Sequence, residues 1–519
     1  MRGLITSIIT ALAITSLQAQ TNMSKPKLVV GLTIDQLSTE LIETYWNLYG
    51  DNGFRRLWKE GLVYKDTYYP LHTIDRSSAS ATIVTGTIPY THGIIANEWL
   101  DKSTNQAKSC VYDKDYMGNY TSLSSSANNI MCSTITDELN RENNGSSIIY
   151  SIAPTSDMAI LLAGHSANGV LWFNPENGKW SSSTYYIDYP AWVSNYNELS
   201  SVSFREGDLV WTPLANVEKY YNSNSRFKES FRHILIDGSN ERYKKVINSP
   251  IINSEIVKLT KDLFKNTEIG QDQTTDYLQL GFSAANPILP NNLSSVEQQD
   301  IYLRIDQNIA ELLKIIDINV GLHNTLFYIT STGYRRELDE GKNFNIPEGD
   351  FYIHRSAALL NLYLIAKYGE GNYISYYSDL QLYLNHSLLE NKGLEIDSFQ
   401  KECAHFLLEI SGVQNVYCST DLLINSLDHK KELVKNSFYK KRTGDLILEI
   451  QPGWKVYNSN NKLEQVVSYS AIQAPTIFLG GNFKSQIITT PIDARAIAPT
   501  VAKTIRIRAP NAASFSPIF

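Results

Sequence analysis

Apolar positions along the chain fall into two patterns. The first is the continuous apolar run, beginning with "KLVVGLTID", which ends in Asp35. Comparable runs follow at "SSIIYSI", "DYLQLGFSA", "NTLFYITS", "DLILEI" and "APTIFLGG". A short apolar run without alternation fits a strand buried on both faces. The second pattern has helical spacing. Leu41, Ile42, Tyr45 and Trp46 show it directly after the first run, and "DIYLRIDQNIAELLKIIDINV" carries it further. Buried strands separated by helices predict an α/β core, a mostly parallel sheet with helices on both faces. "GVLWFNPENGKWSSSTYY" predicts a hairpin around Asn177-Gly178. From about residue 334 to 442 the chain turns polar and helical, opened by "NFNIPEGDF", which predicts a mostly helical insertion on that core.

Length changes this picture little: 519 residues suit two or three domains, or one large α/β domain with insertions. The N-terminus changes it more. "MRGLITSIITALAITSLQAQ" has a positive residue at Arg2, a short apolar run and a small residue at Ala19, the layout of a secretory signal over residues 1–19. No Cys follows the run and no second spanning stretch occurs, so the expectation is an exported chain, in the periplasm or at the cell surface, with no transmembrane segment once mature. The net charge of −7 argues against nucleic acid or an anionic membrane as partner. Export permits disulfides between the near pairs Cys110/Cys132 and Cys403/Cys418; four free buried thiols are the alternative.

Chemistry is harder to find. There is no Walker loop, no H-E-x-x-H and no G-x-S-x-G. His92 in "THGI" and His165 in "AGHSANG" read as hydrogen-bonded structural histidines. The stretch "TIDRSSASATIVTGTIPYTHGIIANEW" reads as a loop feeding a buried helix, with small residues that allow close approach to its N-terminus. Where that approach is expected stands a long cation, Arg76.

Several blocks, in order from Lys25 almost to the C-terminus, carry a resemblance: "KPKLVVGLTIDQ", "GFRRLWKEG", "TGTIPYTHGIIANEW", "TITDEL", "LLAGHSANGVLWF", "YLRIDQNIAELL", "FNIPEG" and "IAPTVAKTI". The chain resembles the secreted bacterial alkaline phosphatases of the type I phosphodiesterase/nucleotide pyrophosphatase family. The resemblance implies a single alkaline-phosphatase-like domain over 25–519. It also implies two zinc ions beyond the carboxyl ends of the strands, one of which helps a Thr or Ser nucleophile. Asp35 matches the first metal-ligating Asp, and Asn97 matches the phosphate-contacting Asn. Elsewhere the pattern fails. Arg76 stands at the nucleophile position and Ser80 at that of a His. Asn286 and Pro290 occupy the Asp and His positions in "LQLGFSAANPILPNN", and Ser331 and Thr332 do so in "FYITSTGYRRE". The last zinc-binding His maps near Glu464, and the phosphate-binding Lys-x-Arg maps to Thr155 and Asp157.

A guanidinium stays protonated and accepts no phosphoryl group. The expectation is therefore a pseudophosphatase without zinc or other cofactor, which acts by binding or scaffolding an unknown ligand or envelope protein. One alternative is a phosphate-ester hydrolase with a rearranged site using Ser77 or Ser78; another is a structural subunit of the cell envelope. Two of the three zinc-site carboxylates have become neutral while one cation, Arg76, has been gained. That balance predicts a charge-assisted hydrogen bond between Arg76 and Asp35, with one or both carboxylate oxygens engaged.

Overall fold

The computed structural model describes residues 25–519 apart from 187–188, 206–208, 221–230, 237–242, 286–294, 335–348, 425–427, 459 and 468–471. The first apolar run forms β1 (Leu28–Asp35), whose eight residues are all buried. Its alternation decides which helices lie where. Leu28, Val30, Leu32 and Ile34 point into one core, shared with α4 (Ile251–Asn266) and α5 (Ser295–Asn319). Val29 points into a second core, shared with α1 (Arg76–Thr85), α2 (Ile135–Glu142), α3 (Ser156–Ala163) and α6 (Ile497–Thr504). Both faces of the strand are thus buried, one apolar throughout and the other carrying Val29, Gly31, Thr33 and Asp35.

The central sheet has ten strands. Beyond β1 these are β2 (Leu62–Tyr64), β3 (Gly118–Asn119), β4 (Ile149–Ala153), β5 (Gly169–Phe173), β6 (Trp180–Ser183), β7 (Asp276–Ser283), β8 (Thr325–Ser331), β9 (Thr476–Gly480) and β10 (Gln486–Ile488). Their order is β10-β2-β9-β8-β1-β7-β4-β5-β6-β3. The five strands from β8 to β5 run parallel, with β1 between β7 and β8. The "APTIFLGG" strand, β9, is antiparallel to β8. β5 and β6 form the predicted hairpin, with Gly178 at φ 69° in its loop. Gly31 is required by a close approach: a Cβ there would collide with Gln279 and Tyr328. Those side chains continue a buried polar chain in which Tyr277 and Tyr328 share a hydrogen bond of 2.7 Å and Gln279 bonds Thr33 at 3.1 Å.

The insertion differs from its expected form. The segment after residue 349 has its own core and a four-stranded antiparallel sheet, Ile374–Ser378, Gln381–Leu384, Leu446–Ile450 and Val413–Cys418 in spatial order. Helices, among them Ile353–Tyr368 and Ile396–Leu408, still supply most of its regular structure, but they pack with this sheet, whose strands continue past residue 442. "ISYYS" and "VQNVYC" are half-exposed and interleave Tyr and polar residues with apolar ones, so they lack the apolar run that marks a buried strand. Arg442 fastens this segment to the core. Its guanidinium donates to the backbone carbonyls of Gly93 at 2.6 Å and Asn129 at 2.9 Å, and lies over the Trp99 ring.

Cys110, Cys132, Cys403 and Cys418 are buried free thiols, not the two disulfides weighed above. Each packs as a small apolar side chain, the first two in the core under α1 and the other two in the core of the insertion. No helix among the described residues is long and apolar enough to cross a membrane.

Candidate functional site

Four element ends converge at the carboxyl edge of the parallel strands, where open α/β sheets form their ligand crevice. The end of β1 brings Asp35, the end of β8 brings Thr332, and the starts of α1 and α3 bring Arg76 and Asp157. The start of α1 is fixed by Asp75, its N-cap. Asp75 accepts from the Ser78 amide at 2.8 Å, while Ser78 Oγ accepts from the Asp75 amide at 3.0 Å. The other Asp75 oxygen accepts from the Asn97 amide at 2.6 Å, which ties the later loop to the helix start. Ser77, Ala79, Ser80 and Ala81 are small and buried, so α1 packs tightly beside α3. Gly86, in the left-handed region at φ 66°, ends the helix at the expected Thr-Gly.

Arg76 is the first residue of α1, and its principal partner is Asp157. Nε donates to Asp157 Oδ2 at 2.8 Å and Nη2 to Oδ1 at 3.0 Å, a bidentate pair. The expected contact with Asp35 takes second place: Nη1 lies 3.9 Å from Asp35 Oδ2, an ion pair without a hydrogen bond. The reason is geometric. The packing of α1 on α3 presents the edge of the guanidinium to the first turn of α3, and Asp35 is approached only by the remaining nitrogen. Asp35 Oδ1 instead accepts from Thr332 Oγ1 at 2.9 Å, and that hydroxyl in turn accepts from the Gln36 amide at 2.9 Å. In the sequence Asp157 stands only as an acid at a position where the family resemblance implies a cation. A reciprocal exchange of charge between two cleft positions was the signal that would have found it.

The electrostatics follow from these contacts. Burial pushes the Asp157 carboxyl upward, but Arg76 outweighs it and holds the group below its usual range. Arg76 is held above its usual range by Asp157 and then Asp35, against the opposing effect of burial. Asp75 is raised, burial being the largest cause. Both helix N-termini carry an acid near the first turn, Asp75 and Asp157, which suits their dipoles; a cation at the first position of α1 does not.

The remaining predicted residues divide clearly. Asn97, Glu464 and Thr155 line a cavity of about 480 Å³ together with Asp35, Arg76 and Lys462. Ser77 is fully buried behind Arg76, its hydroxyl 3.1 Å from Asp157 and 3.3 Å from Asn97 Oδ1, with Cys110 Sγ at 3.5 Å. Ser78 is buried in the N-cap, and Ser80 is buried with no partner for its hydroxyl among the described residues. None of the three serines lines the cavity. Ser331 Oγ donates to the Leu37 carbonyl at 2.8 Å. Asn286 and Pro290 lie outside the described residues. The histidines have structural settings. His92 is buried between Thr82 Oγ1 and the Ile94 amide, with its pKa pushed down to about 3 by burial and then by Arg442. His165 bridges Asp137 and the Ile130 carbonyl; burial lowers its pKa, but Asp137 more than reverses this.

The profile of the type I phosphodiesterase / nucleotide pyrophosphatase family matches residues 29–471. The chain belongs to this family. Over 531 aligned residues it is 29% identical to a protein of Myroides odoratus named as a calcium-transporting ATPase, covering 96% of this chain and 95% of that one. It is 26% identical to alkaline phosphatase PafA of Elizabethkingia meningoseptica, covering 95% and 94% of the two chains. It is also 25% identical to alkaline phosphatase PhoV of Synechococcus elongatus, covering 94% and 92%. The crystal structure of wild-type PafA superposes with a TM-score of 0.82 at 25% identity, over 95% of this chain and 98% of that one. The family, the alkaline phosphatase relatives and the PafA-like fold place this chain in the alkaline phosphatase superfamily, among phosphoesterase-type proteins.

Zinc is the metal the family implies, and the donors described here do not fit it. Asp35 is the one carboxylate kept, with one oxygen taken by Thr332 and the other facing a guanidinium. Thr332 and Ser331 offer hydroxyls, poor zinc donors, and both are engaged elsewhere. Among the described residues no three of His, Cys, Asp and Glu come together in a way that could hold a metal ion.

Proposed function

We propose that this chain is an exported pseudophosphatase, a member of the family that binds a ligand or partner through the old cleft without phosphoryl transfer. The observation that carries this reading is the Arg76–Asp157 pair. In a solved variant of PafA four residues are replaced: a threonine, an asparagine 21 positions later, and a lysine and an arginine two positions apart. Arg76 and Asn97 have the first spacing, and Thr155 and Asp157 the second. On that correspondence a cation sits in place of the nucleophilic hydroxyl, and an acid sits in place of a phosphate-binding cation. A permanently protonated guanidinium cannot attack phosphorus. A carboxylate held ionised beside the phosphate position repels a phosphate dianion. Both changes oppose phosphate-ester hydrolysis, and they neutralise each other.

The test is direct. Purified protein is assayed for zinc by mass spectrometry and for turnover of p-nitrophenyl phosphate in added zinc. The expected results are zinc well below one ion per chain and turnover at the background rate. Two zinc ions per chain, or turnover that a chelator abolishes, would overturn the proposal.

A further inference from the structure

The helix Ile353–Tyr368 of the insertion carries apolar residues on two opposite faces. With about 100° between successive residues, Ile353, Ser356, Ala357, Leu360 and Leu364 form one stripe, and it is buried in the insertion. Arg355, Leu359, Leu362 and Ala366 form the stripe on the other side, at steps of 4, 3 and 4 residues, the spacing of a two-helix seam. All four are exposed, Leu359 by 52% and Leu362 by 63%. A helix that is apolar on both sides is ordinarily covered on both sides.

We infer that this stripe is an interface with a second copy of the chain, the two helices running antiparallel about a two-fold axis. Such pairing needs a surface complementary to itself. Setting Leu359 against Leu362 of the copy also sets Arg355 against Ala366 of the copy, and each contact occurs twice. The alanine leaves room for the guanidinium to pass toward Glu370 of the copy, one turn beyond and just past the helix end at Gly369. Arg355 and Glu370 are both exposed, and neither has an ion pair among the described residues. The Arg355 guanidinium already lies over the Tyr352 ring, 3.8 Å from its centroid, which orders it while leaving its edges open to an acceptor. A cation at the start of the stripe and an anion at its end are what an antiparallel copy matches, and the C-terminal end of the copy's helix favours the cation further. Sixteen residues span about 24 Å, and a seam about 10 Å wide buries on the order of 500 Å² over both helices, below the roughly 1,200 Å² of a stable complex, so the pairing is weak and reversible. The helix belongs to the insertion, so its pairing does not depend on whether the cleft is catalytic.

The experiment is sedimentation velocity of the purified chain from about 1 to about 300 µM, the range in which a contact of this size becomes populated. Wild type is expected to pass from monomer toward dimer across that range, less so in added salt. Leu362→Glu is expected to stay monomeric throughout and to keep the wild-type Tm, since the side chain it replaces is exposed. Arg355→Glu and Glu370→Arg should each weaken dimerisation several-fold by bringing like charges together, and the combined Arg355→Glu/Glu370→Arg variant should recover it. A wild type that is monomeric at the highest concentration would overturn the inference, whether or not it binds phospholipid vesicles or an envelope protein. So would a dimer that Leu362→Glu leaves intact, or charge reversals that their combination does not rescue. A clear fall in the Tm of dilute, monomeric Leu362→Glu would overturn it as well, because the stripe would then be covered within its own chain.

Discussion

The ranking of Arg76's two partners gives the sharpest prediction. Replacing Asp157 with Ala removes both oxygens that the guanidinium grips, and also the acceptor of Ser77 Oγ. Breaking one side of a buried ion pair costs about 3–5 kcal/mol. Arg76 is partly open to solvent, so a loss near the low end, about 3 kcal/mol, is expected for Asp157→Ala. Arg76→Ala should cost about 4 kcal/mol, because it strands Asp157 and leaves Asp35 without its cation. The double variant should cost less than the sum, with a coupling of about 2 kcal/mol. The same cycle between Arg76 and Asp35, separated by 3.9 Å with no hydrogen bond, should give less than about 1 kcal/mol. Unfolding entropy near 2.1 cal/mol/K per residue makes 1 kcal/mol worth only about 1 °C for a chain this long, so urea titration is the better assay. A larger coupling for Asp35 than for Asp157, or none for either, would refute the assignment.

Two further outcomes follow from other parts of the chain. Asp276 and Asp306 are buried carboxyls raised to about 6 by burial, against backbone N–H bonds that lower them. Their folded pKa lies above the unfolded value near 3.9, so the folded state holds more protons between about pH 4 and 6. Stability should therefore fall as pH rises across that window, by up to about 3 kcal/mol per group, and Asp276→Asn should flatten the slope in a urea titration series. A slope unchanged by the substitution would rule this out. Export predicts that envelope-derived protein begins beyond the N-terminal apolar run; Edman sequencing that returns Met1 from a cytosolic fraction would contradict it.

The elements most easily read were those whose own sequence carries the reason for their burial. β1, β7 and β8 are rich in apolar residues because both of their faces are buried. The hairpin at Asn177-Gly178 was marked by its turn residues. The strands of the insertion are not legible because half-exposed segments such as Ile374–Ser378 and Val413–Cys418 give neither a continuous apolar run nor a strict alternation. In the cleft, a local signal was missed and a non-local one was misassigned. Asp75 followed three residues later by Ser78 is a capping pattern visible in the sequence. The Arg76–Asp157 pair is not visible in this way: its members are 81 positions apart and meet only because α1 packs on α3. Asp35 is the partner the sequence suggests, because it ends the first strand and is the retained family acid. Both residues do share one space, but the first turn of α3 offers the better hydrogen-bond geometry.

The pair also shows why the two substitutions belong together. A guanidinium at the first position of α1, facing a lysine and arginine at the start of α3, would place three cations at two positive helix ends. An acid at the position of Asp157, facing a neutral hydroxyl at the start of α1, would be a buried carboxylate with no counter-ion, a state several kcal/mol worse than the paired one. Each change alone is unfavourable, whereas together they close into a bidentate contact with Asp35 as a second, weaker anion. The Arg76–Asp157 contact balances these two charges within the chain itself. On the proposed function, stability and the absence of phosphoryl transfer share one cause, the occupation of the nucleophile position by the cation that pairs with Asp157.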